Sequence, residues 1–430
     1  MDIITQSLRN NMRPIMPHLT IRNAFKSLIS LVLGIVFMNQ CLASEQDCTN
    51  LHELQHYSEQ LLPLCEADDS ATPIQLASDQ ALEVCDEPDG SGMCRTYFNA
   101  TGNVAEALED NFSFARLIPF NHHDFYMAFM SDPQYPWSCQ SSKENCDDQD
   151  KAWQENMNYV QSLNALMDDL GKEQLAGVVI NGDLTAFGYD WQFDAYYRLY
   201  HNELKMNVYP GLGNHDISNN VDGCFLNNCA SRMMLYLRDH VRTLNVRSFD
   251  YHSTGTYFEF PLLKKKFSKS FAYSWDIGDI HFVQLNNYPT YTAQWDGWNF
   301  ARTRRDYFDI QSAREWLAND LDQASSEGKH IILNYHISGF TNEIRDILRR
   351  YKISAIFAGH LHSFVGQVDF HTLWDFYGPG EHLPVFLGGA TAFQKYMLVR
   401  FEEDQFEVSI VKSDQGASYE LESEGVYPLY

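Results

Sequence analysis

The stretch Val178-Val179-Ile180-Asn181-Gly182-Asp183 is an apolar run that stops at a Gly-Asp pair, and the pattern recurs along the chain. Phe125–Met130, a continuous apolar run of the kind expected of a strand buried on both faces, ends at Ser131-Asp132-Pro133-Gln134. Asn207-Val208-Tyr209-Pro210 precedes Gly213-Asn214-His215-Asp216. Ile331-Ile332-Leu333 leads to Asn334-Tyr335-His336, and 353–358 leads to Gly359-His360-Leu361-His362. Between these runs, apolar residues recur at helical steps: Trp153, Met157, Val160, Leu163, Met167 and Leu170 before Gly171, and later Trp316, Leu317, Leu321 and Ala324, in a helix read from Ile310. Strand and helix in alternation predict an α/β sheet covered by helices. Polar residues directly after the strands match the rule that such sheets bind ligands beyond their strand C-termini.

Carboxylate, amide and imidazole are donors for a hard-to-borderline divalent or trivalent metal. A lone His is ordinarily a packing or surface residue, and a lone Gly-Asp is a turn. Five such points, each following a strand, indicate one site. His360 and His362 are two apart, so in extended backbone their rings project to one side.

In its order, the series Asp132-Pro133-Gln134, Gly182-Asp183, Gly213-Asn214-His215-Asp216, His336 and Gly359-His360-Leu361-His362 resembles the calcineurin-like metallophosphoesterase family. The resemblance spans roughly residues 124–411 and implies a four-layer sandwich of two β-sheets flanked by helices. Matched motif by motif, it implies that Asp132, Gln134, Asp183 and His362 hold one metal ion. Asp183 bridges, and Asn214, His336 and His360 complete a second. His215 is then a proton donor or phosphate contact rather than a ligand, oriented by Asp216. The ions implied are two from among Mn, Fe, Zn or Mg. The chain departs from the commonest pattern at Gln134, where the family usually has His. Ala186 stands where purple acid phosphatases have a metal-binding Tyr, so no tyrosinate-iron colour is expected. No GxSxG elbow is present, which disfavours a serine hydrolase.

Formal charge is −26, with 31 Lys and Arg against 57 Asp and Glu. That excludes nucleic acid as a structural partner and disfavours anionic lipid surfaces. Arg9, Arg13, Arg22 and Lys26 precede an apolar run over 28–38 and small residues near Ala43, so residues 1–43 read as a signal peptide, leaving no transmembrane segment in the mature chain. Eight further Cys suggest disulfides in a secreted or periplasmic product, paired between neighbours: 48–65, 85–94, 139–146 and 224–229. Residues 44–122 read as an N-terminal module with a disulfide-tied hairpin, and 109–117 resemble a single βγ-crystallin Greek-key motif. Residues 217–275 read as an irregular insertion, 123–412 as the main domain, and 413–430 as a tail. Asn287, Tyr288, Tyr291, Trp295 and Trp298 are rim candidates.

The function these features imply is hydrolysis of phosphate esters by metal-activated hydroxide attack, in an exported enzyme with a phosphate-ester substrate. Two other readings stand beside it: a binding or interaction protein with a weakened metal site, and a phosphodiesterase acting on nucleotides or phospholipid head groups.

Overall fold

The computed structural model describes residues 76–430 apart from 78, 88, 91, 99–113, 141–145 and 371–372. The expected signal peptide, the Cys48–Cys65 pair and the first part of the crystallin-like stretch lie outside the described residues. So does the N-terminal unit Met1–Leu51; every described residue belongs to the unit His52–Tyr430.

The run Phe125–Met130 forms the strand its composition demands. It pairs in parallel with Leu175–Asn181, which pairs in parallel with Val208–Gly211. On its other side lie Lys395–Phe401, Gln405–Gln415 and Ser418–Pro428, all antiparallel, completing six strands. A second sheet of seven strands is centred on Ala355–Ala358, His330–Asn334 and Ile280–Gln284. The two sheets meet through aromatic rings: Phe129 stacks on Phe357 at 3.9 Å between centroids, and Tyr209 on Trp275 at 4.3 Å. Each such ring removes a large apolar area from water, worth about 1.5–3 kcal/mol.

Helix Gln149–Leu170 packs Tyr159, Val160 and Leu163 against the first sheet. Asp148 caps its first turn by accepting from the Lys151 amide, and Gly171 ends it at φ 86°. Helices Arg314–Ser326 and Asn342–Tyr351 pack Leu317, Leu321, Ile344 and Leu348 against Ile331, Leu333 and Ile356 of the second sheet. Helix, sheet, sheet, helix is the expected four-layer sandwich. Among the described residues no helix is long and apolar enough to cross a membrane.

Three disulfides join the expected neighbours: Cys85–Cys94, Cys139–Cys146 and Cys224–Cys229. The first ties the antiparallel pair Gln80–Cys85 and Cys94–Tyr97, and Phe114–Pro119 adds a third strand. This small sheet is fastened to the sandwich: the Thr96 amide donates to Asn207 Oδ1, and buried Glu83 accepts from Arg116 and Lys172.

Three stretches are more regular than their sequence suggests. Leu262–Lys269, inside the supposed irregular insertion, is a strand parallel to Arg304–Ile310. Ile310 therefore ends a strand instead of opening a helix, and Ala293–Asn299 completes that pair's sheet on one side. Lys264-Lys265-Lys266 hides the period of two. Residues 418–428, part of the expected tail, form an edge strand with mostly exposed side chains; backbone pairing holds it, with Tyr427 stacked on Phe406 at 5.3 Å.

One buried polar network outside the strand ends carries a prediction. His281 is fully buried, with Nδ1 2.6 Å from Asp276 and Nε2 3.0 Å from Asp320. Burial pulls its pKa down, but the two carboxylates win and hold it above the ordinary value. The unfolded imidazole titrates near pH ~6.5. The stabilisation is thus complete below that pH and is lost as pH rises through the raised folded value. His281→Leu is expected to abolish this pH dependence and to cost about 3–5 kcal/mol, because buried Asp320 loses its cation and Asp276 keeps only Arg247. Urea unfolding at several pH values reads both effects; a variant as stable as wild type contradicts the ionised triad.

Candidate metal centre

The two sheets present their strand C-termini at one edge, and the polar residues after each strand converge there. Asp132, Gln134, Asp183 and His360 adopt left-handed backbone, at φ 52°, 39°, 52° and 71°. Non-glycine residues pay about 1–3 kcal/mol for such conformations, and the cost clusters at functional sites. Gly182, at φ 86°, is where the chain has no room: a Cβ would stand 2.7 Å from the Gly213 nitrogen and 2.9 Å from His336 Nδ1.

Asp183 lies at the middle of the site, fully buried. Its Oδ1 accepts from the His215 amide at 2.7 Å, and its Oδ2 lies 3.1 Å from His336 Nε2. Burial raises its pKa, but the imidazoles of His336 and His215 outweigh this and hold it below the usual carboxylate value. Two sets of donor atoms fall within 4.8 Å of one another: Asp183, His336 and His360, and Asp132, Asp183 and His362. Asp183 belongs to both. A third such group, Glu83 with Cys85 and Cys94, has no free thiolate, since its sulfurs form a disulfide.

His336 is oriented from behind. Its Nδ1 donates to the Asn181 carbonyl at 2.8 Å, which turns Nε2 toward Asp183 and Asn214 Oδ1, 3.0 Å away. A backbone carbonyl on the far nitrogen is the usual way to fix a ligating imidazole. Burial disfavours charge on this ring, but Asp183 and Asp132 push its pKa up to about 9. Asp132 Oδ2 accepts from the His360 amide at 3.0 Å, while its buried Oδ1 has no hydrogen bond and lies 3.2 Å from His362 Nε2. An orphaned carboxylate oxygen, a backed imidazole and a shared central carboxylate are a donor set that fits two cations.

Gln134 reaches the site with its amide nitrogen, donating to Asp183 Oδ2 at 3.0 Å. It therefore holds the central carboxylate, a contact its sequence position did not suggest. His215 and Asp216 also differ from expectation. The His215 ring bonds through Nδ1 to the Ala186 carbonyl at 3.0 Å. Asp216 instead accepts from the amides of Gly213, Leu184 and Thr185 and from the Thr185 hydroxyl. It pins the loop after Asp183 to the loop that carries Asn214. Burial and the nearby Asp183 push its carboxyl up to about 7. The residue that sets the His215 tautomer was missed because only its backbone is used, so no side-chain type marks it.

Trp137 and Phe187 flank the His215 ring edge-on, at 4.8 and 6.2 Å. Trp137 also lines a cavity of about 140 Å³ with Asp132, Gln134 and His362, which sets His215 beside these candidate ligands. Of the rim candidates, Asn287 is at the centre: its carbonyl accepts from the His336 and Ile337 amides. Trp295 is a packing residue, stacked on Phe308, and Trp298 lines a separate cavity of about 740 Å³.

The calcineurin-like phosphoesterase family matches residues 126–364, more than half of the chain. The chain belongs to that family. A PhoD structure resembles it at 11% identity, covering 84% of this chain and 87% of that one, with a TM-score of 0.41. GAP50, the anchor in the inner membrane complex of Plasmodium, matches at 11% identity over 71% of this chain and 88% of its own, TM-score 0.36. Vacuolar protein sorting 29 from Cryptosporidium parvum matches at 7% identity over 71% and 99%, TM-score 0.27. No curated protein matches the sequence. Calcineurin-like phosphoesterases are metal-dependent hydrolases as a class, and the candidate Asp and His clusters of this chain are those of a metal-binding member.

Proposed function

We propose that this protein is an exported phosphoesterase whose two cations are held by Asp132, Gln134, Asp183, Asn214, His336, His360 and His362. The observation that carries the reading is Asp183, a buried carboxylate common to both metal-competent clusters. A bound cation pair supplies Lewis acidity, acidifying water and neutralising phosphoryl oxygens.

The chain's own groups do the rest. Asn181 and Ala186 set the tautomers of His336 and His215 through backbone carbonyls. With Nδ1–H donated to the Ala186 carbonyl, His215 presents Nε2 to the site, and as an imidazolium it would carry there the proton given to the departing oxygen. Trp137 and Phe187 keep that ring in place and shield one side of it from water. For Gln134 we favour a dual role: its nitrogen steadies Asp183, and its oxygen is the donor available to a cation. Asp216 positions both loops and does not act on the substrate. The three disulfides and the acidic composition support export; secreted protein beginning near residue 44 and lacking free thiols is the expected product.

The test is a substrate panel on metal-reconstituted protein: phosphomonoesters, phosphodiesters, nucleotides and sphingomyelin. Hydrolysis of at least one class, abolished by chelation, is expected. Two bound metals with no hydrolysis of any ester contradict the catalytic reading and favour a binding protein on this fold.

A further inference from the structure

This protein is acidic, at −26, yet one of its cavities is basic. The cavity measures about 900 Å³ and lies where the end of helix Asn228–Val241 meets the sheet containing Leu262–Lys269. Arg238, Arg242, Lys265, Arg302 and Arg304 line it, and among its described lining residues Asp239 is the only carboxylate. Asp239 is engaged by Arg238 through Nε at 2.6 Å, and Arg304 is engaged by Asp306 at 2.6 Å and by Thr256 at 3.2 Å. Lys265 and Arg302 form no ion pair among the described residues; Lys265 instead lies over the Phe267 ring at 5.3 Å. Burial, with Arg304 and Arg238 close by, holds the Lys265 ammonium below its ordinary value. With Arg238 held by Asp239 and Arg304 by Asp306, the charge this concave wall offers an anion is that of Lys265 and Arg302, and a concave wall concentrates its field.

The cavity is distinct from the metal centre. Helix Asn228–Val241 begins beside Gly188, in the loop that holds His215. Its fourteen residues span about 20 Å at 1.5 Å each, and Arg238 stands in the last turn. His240, two residues further on, bonds the carbonyl of Val208, the first residue of a strand whose far end leads to Asn214. The basic cavity therefore lies toward the opposite edge of the sheets.

We propose that this cavity binds a compact oxyanion carrying two or more negative charges. The Arg302 guanidinium matches the paired oxygens of phosphate and carboxylate groups, and Lys265 adds a point charge on the same wall. Tripolyphosphate and citrate are suitable probes, titrated by calorimetry into full-length protein stripped of metal at about 50 mM salt, where surface charges are little screened. Saturable binding to one site is expected, weakened roughly tenfold or more in Lys265→Glu and in Arg302→Glu. Tighter binding of tripolyphosphate identifies a phosphate-rich ligand, and tighter binding of citrate a polycarboxylate; each supports the site. Arg302→Gln, a neutral change at an exposed position, replaces the reversals if they disturb folding, and it too must weaken binding. No saturable binding to wild type, or equal affinity in wild type and the variants, overturns the proposal.

Discussion

Asp183→Asn is expected to lose at least one cation and most of its turnover while keeping its fold. The side chain is buried and isosteric with its replacement, so packing around it changes little. What changes is charge. Asp183 is the one residue common to both donor clusters, and an amide offers only one neutral oxygen where a carboxylate offers two charged ones. Losing an outer-shell partner of a metal ligand costs about 10–100-fold in affinity or activity. Removing the shared carboxylate itself must cost more. Elemental analysis and steady-state rates on one preparation read both quantities, with a melting curve as the control for folding. Full occupancy and full turnover in Asp183→Asn show that the central carboxylate does not bridge.

His215→Asn tests the proposed division between a proton donor and the metal ligands. Its ring is tied to Ala186 and flanked by Trp137 and Phe187, and no donor cluster among the described residues includes it. Metal content and fold are therefore expected to stay near wild type. Loss of general-acid help costs about 10²–10⁴-fold in rate. The loss falls mainly on alkyl phosphates, whose leaving oxygen needs a proton, and much less on nitrophenyl esters. Equal slowing of both substrates makes His215 a phosphate contact. Expulsion of a metal makes it a ligand.

The parts of this protein that the sequence made legible are those written in side-chain type. Apolar runs at 125–130 and 175–181 are buried on both faces, and nothing but a covered sheet accommodates them. Asp132, Asp183, Asn214, His336, His360 and His362 meet because each follows such a run at the same edge. What escaped notice is written in backbone. The carbonyls of Asn181 and Ala186 fix the two imidazoles, and any residue type supplies a carbonyl. Asp216 sits beside His215 in the chain yet faces away from it, since neighbours in a tight turn diverge. The strand Leu262–Lys269 was hidden by three consecutive lysines, and Ser418–Pro428 by a polar edge that buries little.

The most direct measurement is metal stoichiometry and hydrolysis followed together through one cycle of chelation and reconstitution. Two ions per chain are expected, with phosphoester hydrolysis lost on chelation and regained as the second ion returns. Hydrolysis that survives complete metal removal, or full activity with a single ion bound, contradicts a two-cation centre built on Asp183.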